Sequence, residues 1–156
     1  MRRARGRVAG PAAVVLLPCL LAGCGSATSD ARHVALPAAG APPARVVAAY
    51  VAALDAHDVA TAKALMTPRF RQLVEHQVDS WFTNTVSIRR LKTGAPYAVP
   101  GVGSSVRRRF VRYVPVQFDL EQRRQVSMRN GPTVWGYVLV RDRPPGRWLV
   151  DGVGVA

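Results

Sequence analysis

Apolar positions along the chain fall into two regimes, one with helical spacing and one with strand alternation. After Pro42-Pro43, the residues Val47, Tyr50, Val51 and Leu54 recur at i, i+3, i+4 and i+7, with Val46 beside them. That spacing predicts an amphipathic helix over about 44–56, opened by proline. Asp58 stands where an N-cap belongs, ahead of the apolar set Val59, Ala62, Leu65 and Met66, and Thr67-Pro68 ends this second, short helix. Phe70, Leu73, Val74 and Trp81 carry a third helical stripe over about 69–81.

Beyond it the period shortens to two. Val86 and Ile88 predict a short strand over about 85–92, and Thr93 to Ser105 is a Gly/Pro loop whose length suits a lid or an unstructured connection. A long strand is predicted over about 108–122. Its even positions (Phe110, Arg112, Val114, Val116, Phe118, Leu120) are apolar except for Arg112, and its odd positions grade into Gln117, Asp119 and Glu121. Asn130-Gly131 marks a turn. Thr133 to Asp142 is apolar on both sides, with Trp135, Tyr137 and Leu139 opposite Val134, Val138 and Val140, which predicts a central strand. Pro144-Pro145 closes a hairpin into a last strand over about 147–155. Helices followed by an antiparallel meander give an α+β fold, three N-terminal helices packed on a curved antiparallel sheet.

The first 43 residues follow neither pattern. Arg2, Arg3, Arg5 and Arg7 precede an apolar run, Val8 to Ala22, that Pro11 and Pro18 interrupt. The run falls short of the ~20 residues a membrane span needs, so 1–23 reads as an export signal. Arg2-Arg3 lacks a wider twin-arginine context, which favours the general secretory route. Leu21-Ala22-Gly23-Cys24 resembles the lipobox of bacterial lipoproteins. The resemblance implies cleavage before Cys24 and a diacylglycerol thioether on its thiol, hence a protein anchored at the extracytoplasmic face of the cell membrane. A soluble secreted protein with an incidental Cys24 is the other reading. Residues 24–43, rich in Ala, Gly, Ser and Pro, read as the lipidated cysteine and a flexible linker, leaving 44–156 as the folded domain. Cys19 departs with the signal, so Cys24 is left without an intrachain disulfide partner.

Charge adds a second theme. The formal net charge is +13, from 22 basic and 9 acidic residues, and loss of the signal leaves about +9. Only Lys63 and Lys92 are lysine; an arginine bias of this kind fits a GC-rich bacterial genome and argues weakly for any one ligand. Between Asp79 and Asp119 there is no acid, while Arg89, Arg90, Lys92, Arg107, Arg108, Arg109 and Arg112 are cationic. These form either a solvated face or, on a tethered domain, a contact surface for anionic lipid or wall polymer, at about 1 kcal/mol per close charge. Export excludes nucleic acid as the partner.

The layout is similar to the NTF2-like (SnoaL-like, cystatin-like) superfamily. The likeness rests on the Val46–Leu54 helix, on Asp58 opening the second helix, and on Gly131 with the runs Trp135 to Asp142 and Trp148 to Gly154. It implies a sheet wrapped around a long helix as a cone. Enzymes of the superfamily use an Asp, Glu or His inside that cone as acid or base, and only Asp151 answers that description here. Strict alternation puts Leu149, Asp151, Val153 and Val155 on one face. Asp151 is then a carboxylate among apolar neighbours, with Arg112 as the matching cation on the long strand. Two arrangements are open. The pair is buried together in a cavity lined by Trp135 and Tyr137. Alternatively, Asp151 bonds backbone or solvent near the sheet edge while Arg112 extends outward.

Other chemistry finds little support. His57-Asp58 are adjacent, but Asp58 has a capping role available, and His76 beside Glu75 suits a solvated helix face. His33, His57 and His76 make no metal-ligand cluster, no Gly-rich phosphate loop follows a strand, and no serine-nucleophile motif occurs. No cofactor is expected. The expected role is a non-enzymatic module that binds a small apolar ligand or an envelope protein. A cone-cavity enzyme using Asp151 and a structural accessory of an envelope complex are the alternatives.

Overall fold

A computed structural model describes residues 32–77, 80–99 and 110–154. The segment predicted as export signal and lipobox, with Cys24, and Arg107, Arg108 and Arg109 lie outside the described residues, as do Asp79 and Val155.

Helix α1 (Pro43–Asp55) begins on Pro43, whose missing N–H and fixed φ suit the first turn. It buries Val46, Val47, Tyr50, Val51, Ala53 and Leu54. A Schellman turn ends it: Asp58 N–H donates to Ala53 O at 2.9 Å and His57 N–H to Leu54 O at 3.2 Å, with His57 at φ +56°. His57 is therefore the left-handed residue just past the C-cap, Ala56. The turn delivers Asp58 to the N-cap of α2 (Val59–Ala64), where its carboxylate accepts from Thr61 N–H at 3.0 Å. Thr67 caps α3 (Pro68–Glu75) by accepting from Phe70 N–H at 3.2 Å. The third helix predicted over 69–81 is two pieces. α3 stops at Glu75, and a new N-cap, Ser80, starts the single turn α4 (Trp81–Asn84). The Asn84 side chain then brackets Arg124, accepting from its N–H at 3.0 Å and donating to its carbonyl at 2.8 Å. This holds Trp81 against Phe118 and Trp135, with ring centroids 6.3 Å away in both cases.

Four strands follow, β1 (Thr85–Thr93), β2 (Phe110–Gln122), β3 (Gly131–Arg141) and β4 (Leu149–Val153), in an antiparallel sheet of order β1-β2-β3-β4. The predicted α+β class and meander hold. Even positions of β2 from Val114 to Leu120 turn inward and join Tyr137 and Leu139 of β3, Val150 of β4 and the buried stripe of α1 in one core. Asn130-Gly131 closes a longer loop between β2 and β3 and is not a two-residue turn: Asn130 Oδ1 accepts from Gln122 N–H at 2.9 Å, standing in for a ladder partner.

Both sheet edges are covered in part. Along β4, Val150 N–H donates to Leu65 O at 2.8 Å and Thr67 N–H to Val150 O at 2.9 Å, a short parallel bridge. On β1, Ile88 N–H donates to the Asp55 carboxylate at 2.7 Å. Such capping removes ladder groups that would otherwise recruit another strand. Residues 33–42, read from sequence as linker, lie on the domain. Val34 N–H donates to Asp58 Oδ2 at 2.9 Å, Thr61 Oγ1 donates to Val34 O at 3.2 Å, and Val34 and Ala41 pack against the core. Among the described residues no helix is long and apolar enough to cross a membrane.

Candidate functional site

Of the two arrangements open for Asp151, the carboxylate is buried, but its surroundings differ from the candidate cavity. Tyr137 pairs across the ladder with Val153, Val138 with Gly152, and Leu139 with Val150, so Asp151 is the extra residue of a β-bulge. One inserted residue reverses facing. Val150, fully buried, therefore shares the inner face with Leu139, and Val153 beyond the bulge shares it with Tyr137, so the predicted set of Leu149, Asp151 and Val153 does not lie on one face. The Asp151 carboxylate turns toward α3. Thr67 Oγ1 donates to Oδ1 at 2.6 Å, and Arg69 Nη2 stands 3.3 Å from Oδ2 while also donating to the Asp151 carbonyl. Thr67 is itself buried and accepts from Phe70 N–H, so one hydroxyl joins the cap of α3 to the bulge of β4.

The expected Asp151–Arg112 pair is thus replaced by Asp151–Arg69. Arg112 is half-buried and its Nη1 donates to the neighbouring Val111 carbonyl at 2.8 Å. Tyr137 fills the centre of the sheet's inner face, 1 % exposed, with its ring edge-on to Tyr50 at 5.4 Å. Burial pushes the phenol of Tyr137 well above its ordinary range, and the neighbouring Tyr50 adds to the shift. Burial likewise raises Tyr50. Trp135 is half-buried against Trp81. These rings pack against one another and the core, so the expected cavity around Asp151, Arg112, Trp135 and Tyr137 is not assembled. In sequence Thr67-Pro68 reads as a helix stop, which hides Thr67 and Arg69; Thr before a proline at the first helical position is also an N-cap mark. Gly152, an isolated glycine inside a strand pattern, was the available sign of the bulge.

The outer face of the sheet holds open space. A groove of about 460 Å³ is lined by Arg90, Lys92, Gln117, Asp119, Thr133 and Val134. A second, of about 260 Å³, shares Lys92, Gln117 and Val134 with it and continues along Gly94 and Pro115. A second bulge builds the first groove. Arg89 pairs with Asp119 and Lys92 with Gln117, leaving one residue too many on β1, and Arg90 sits there at φ +53°. A non-glycine residue in this region is uncommon and marks local strain. The bulge keeps Leu91 against the core and Lys92 beside Gln117, while the Arg90 guanidinium pairs with the Asp119 carboxylate. Arg89, Arg90 and Lys92 are exposed. Of the seven predicted cations, the described residues thus bring Arg90 and Lys92 into a groove, with Arg89 on the same edge strand, and leave Arg112 apart.

Further along this face the Tyr113 ring lies over Gly136 and its hydroxyl donates to Gly154 O at 3.0 Å. Tyr97, 45 % exposed, packs at a tilt against Tyr113, with ring centroids 5.2 Å apart. Among the described residues no group of three or more His, Cys, Asp or Glu side chains could hold a metal ion. Neither the curated proteins nor the solved structures include a match to this chain. Residues 44–154, the domain from α1 through β4, match the DUF4829 family, a domain of unknown function, and the chain belongs to that family.

Proposed function

We propose that the chain is an exported lipoprotein, held by diacylglycerol on Cys24 at the extracytoplasmic face of the cell membrane. In this reading its NTF2-like domain is a non-enzymatic binding module that works through the outer face of its sheet. One observation carries the binding half. Asp151, the carboxylate suited to acid–base work, is engaged by Thr67 and Arg69 beneath the surface, whereas Arg90 and Lys92 line grooves open to solvent. The NTF2-like cup is supported by the helix α1 packed across β1 and β2, with Tyr50 and Tyr137 filling its interior. The partner is an anionic component of the envelope, since cations set on a tethered surface gain from nearby phosphate.

Two measurements test this. Cells fed an alkyne-bearing fatty acid label the wild-type chain, and Cys24→Ser abolishes the label; a labelled, membrane-bound Cys24→Ser chain overturns the anchor. Separately, the full chain purified in neutral detergent is retained on immobilised poly(glycerol phosphate) and released as salt rises. Equal passage over that matrix and over uncharged dextran overturns the binding reading.

A further inference from the structure

We infer that the outer-face groove at the Arg90 bulge is a binding site for an extended phosphodiester polymer, in which Arg90 exchanges Asp119 for a phosphate of the ligand. The inference rests on the binding reading above and specifies its site.

Three observations converge on the groove. First, Arg90 occupies a left-handed backbone conformation at the centre of an edge strand. Strain of this kind persists where the position of a side chain matters more than local comfort, and glycine would hold the same bulge without it. What arginine supplies there is a guanidinium, turned to Asp119 on the outer face. Second, that pair is exposed on the arginine side: the Arg90 side chain is 77 % accessible and the Asp119 side chain 25 %. A guanidinium has donors to spare after one carboxylate is met, and its planar fork suits a phosphate. Third, Lys92 lines the same groove, two residues on in sequence and beside Gln117. Arg90 and Lys92 against Asp119 leave a net positive groove whose complement is an oxyanion.

The shape selects a polymer over a lone headgroup. The two grooves share Lys92, Gln117 and Val134, so the depression continues from Asp119 past Lys92 to Gly94 and Pro115. Its floor includes Val134, 66 % exposed, and Pro115 and Pro132, apolar surface that the carbon backbone of a glycerol- or sugar-phosphate chain covers. Successive phosphates then meet Arg90 and Lys92. Asp119 holds Arg90 in place while the groove is empty and competes with the ligand.

The test uses the full chain in neutral detergent, with soluble poly(glycerol phosphate) as probe and binding followed by intrinsic fluorescence or calorimetry. Arg90→Gly retains the wild-type fold by circular dichroism and weakens binding about tenfold, as does Lys92→Gln, since each removes one charge-assisted contact. Asp119→Asn, which frees Arg90, tightens binding several-fold. Arg112→Ala, which removes a cation outside the groove, leaves it unchanged. Wild-type binding that is indifferent to Arg90→Gly, or is weakened equally by Arg112→Ala, overturns the groove and leaves the broader binding function standing. No wild-type binding overturns both. Vesicles of phosphatidylglycerol that compete as well as the polymer, at equal phosphate, overturn the polymer as ligand and leave a headgroup in its place.

Discussion

Asp151 shows how a buried charge is made tolerable by its nearest neighbours. Its carboxylate takes one hydroxyl donor from Thr67 and an ion pair from Arg69, so burial leaves neither oxygen without a partner. Asp151→Ala is expected to cost about 2–3 kcal/mol, the loss of a charge-assisted network that also strands the Thr67 hydroxyl. Arg112→Ala, whose bond to the adjacent carbonyl is local, is expected to stay within ~0.5 kcal/mol of wild type. Urea denaturation of the two variants separates these outcomes; equal losses would restore the Asp151–Arg112 pair. Gly136 is constrained in another way. A Cβ there would lie 1.9 Å from Tyr113 Oη, so Gly136→Ala displaces the ring from its bond to Gly154, whereas Tyr113→Phe removes only that bond, at about 1 kcal/mol. Gly136→Ala should therefore show the lower urea midpoint of the two.

The elements were largely legible and the faces were not, and the bulges at Asp151 and Arg90 are the reason. α1, α2 and the strand order follow from local marks: Pro43 at a helix start, Asp58 as a cap, and alternation through β2. Alternation carries a face only until a residue is inserted. At Asp151 the inserted residue turned Val150 inward and sent the carboxylate to α3, so the right residue was found with the wrong partner. At Arg90 no glycine advertises the insertion, and a groove spanning three strands has no signature within any one of them. The Arg90 bulge also gives a stability prediction. Arg90→Gly relieves a left-handed conformation costing roughly 1–2 kcal/mol. It gives up an exposed ion pair worth ~0.2–1 kcal/mol and gains unfolded-state entropy of similar size. Its urea midpoint should correspond to a stability within about 1 kcal/mol of wild type. A loss several times larger would mean that Arg90 is held by packing and carries no strain to relieve.

Considered as a whole, the molecule holds residues 33–42 against its fold as a strap. Val34 N–H is the chief cause of the low Asp58 pKa, followed by the Thr61 N–H, with the charge of nearby His33 adding to them, and the carboxyl falls from 3.8 to about 2. A carboxyl with a depressed folded pKa contributes stability that is present above its unfolded value and lost as pH falls through the folded one. The strap's contribution should therefore be intact above about pH 4 and disappear between about pH 4 and pH 2. Asp58→Asn should flatten that portion of the acid-unfolding curve. It should also speed hydrogen exchange at the Val34 amide at neutral pH, where the wild type is protected by its bond to Oδ2. With Cys24 carrying the proposed anchor, the consequence is geometric. From Cys24 to Val34 the chain reaches at most about 35 Å; with the strap undocked as far as Pro42 it reaches about 60 Å. Under that proposal, docking of Val34 on Asp58 would set how far the grooved face travels from the membrane, and Asp58→Ala in the anchored protein should lengthen that reach. Fluorescence energy transfer from a dye in the bilayer to one on the domain measures it directly. A distance distribution identical to wild type, alongside faster exchange at Val34, would show that the strap governs local stability and not the standing height of the domain.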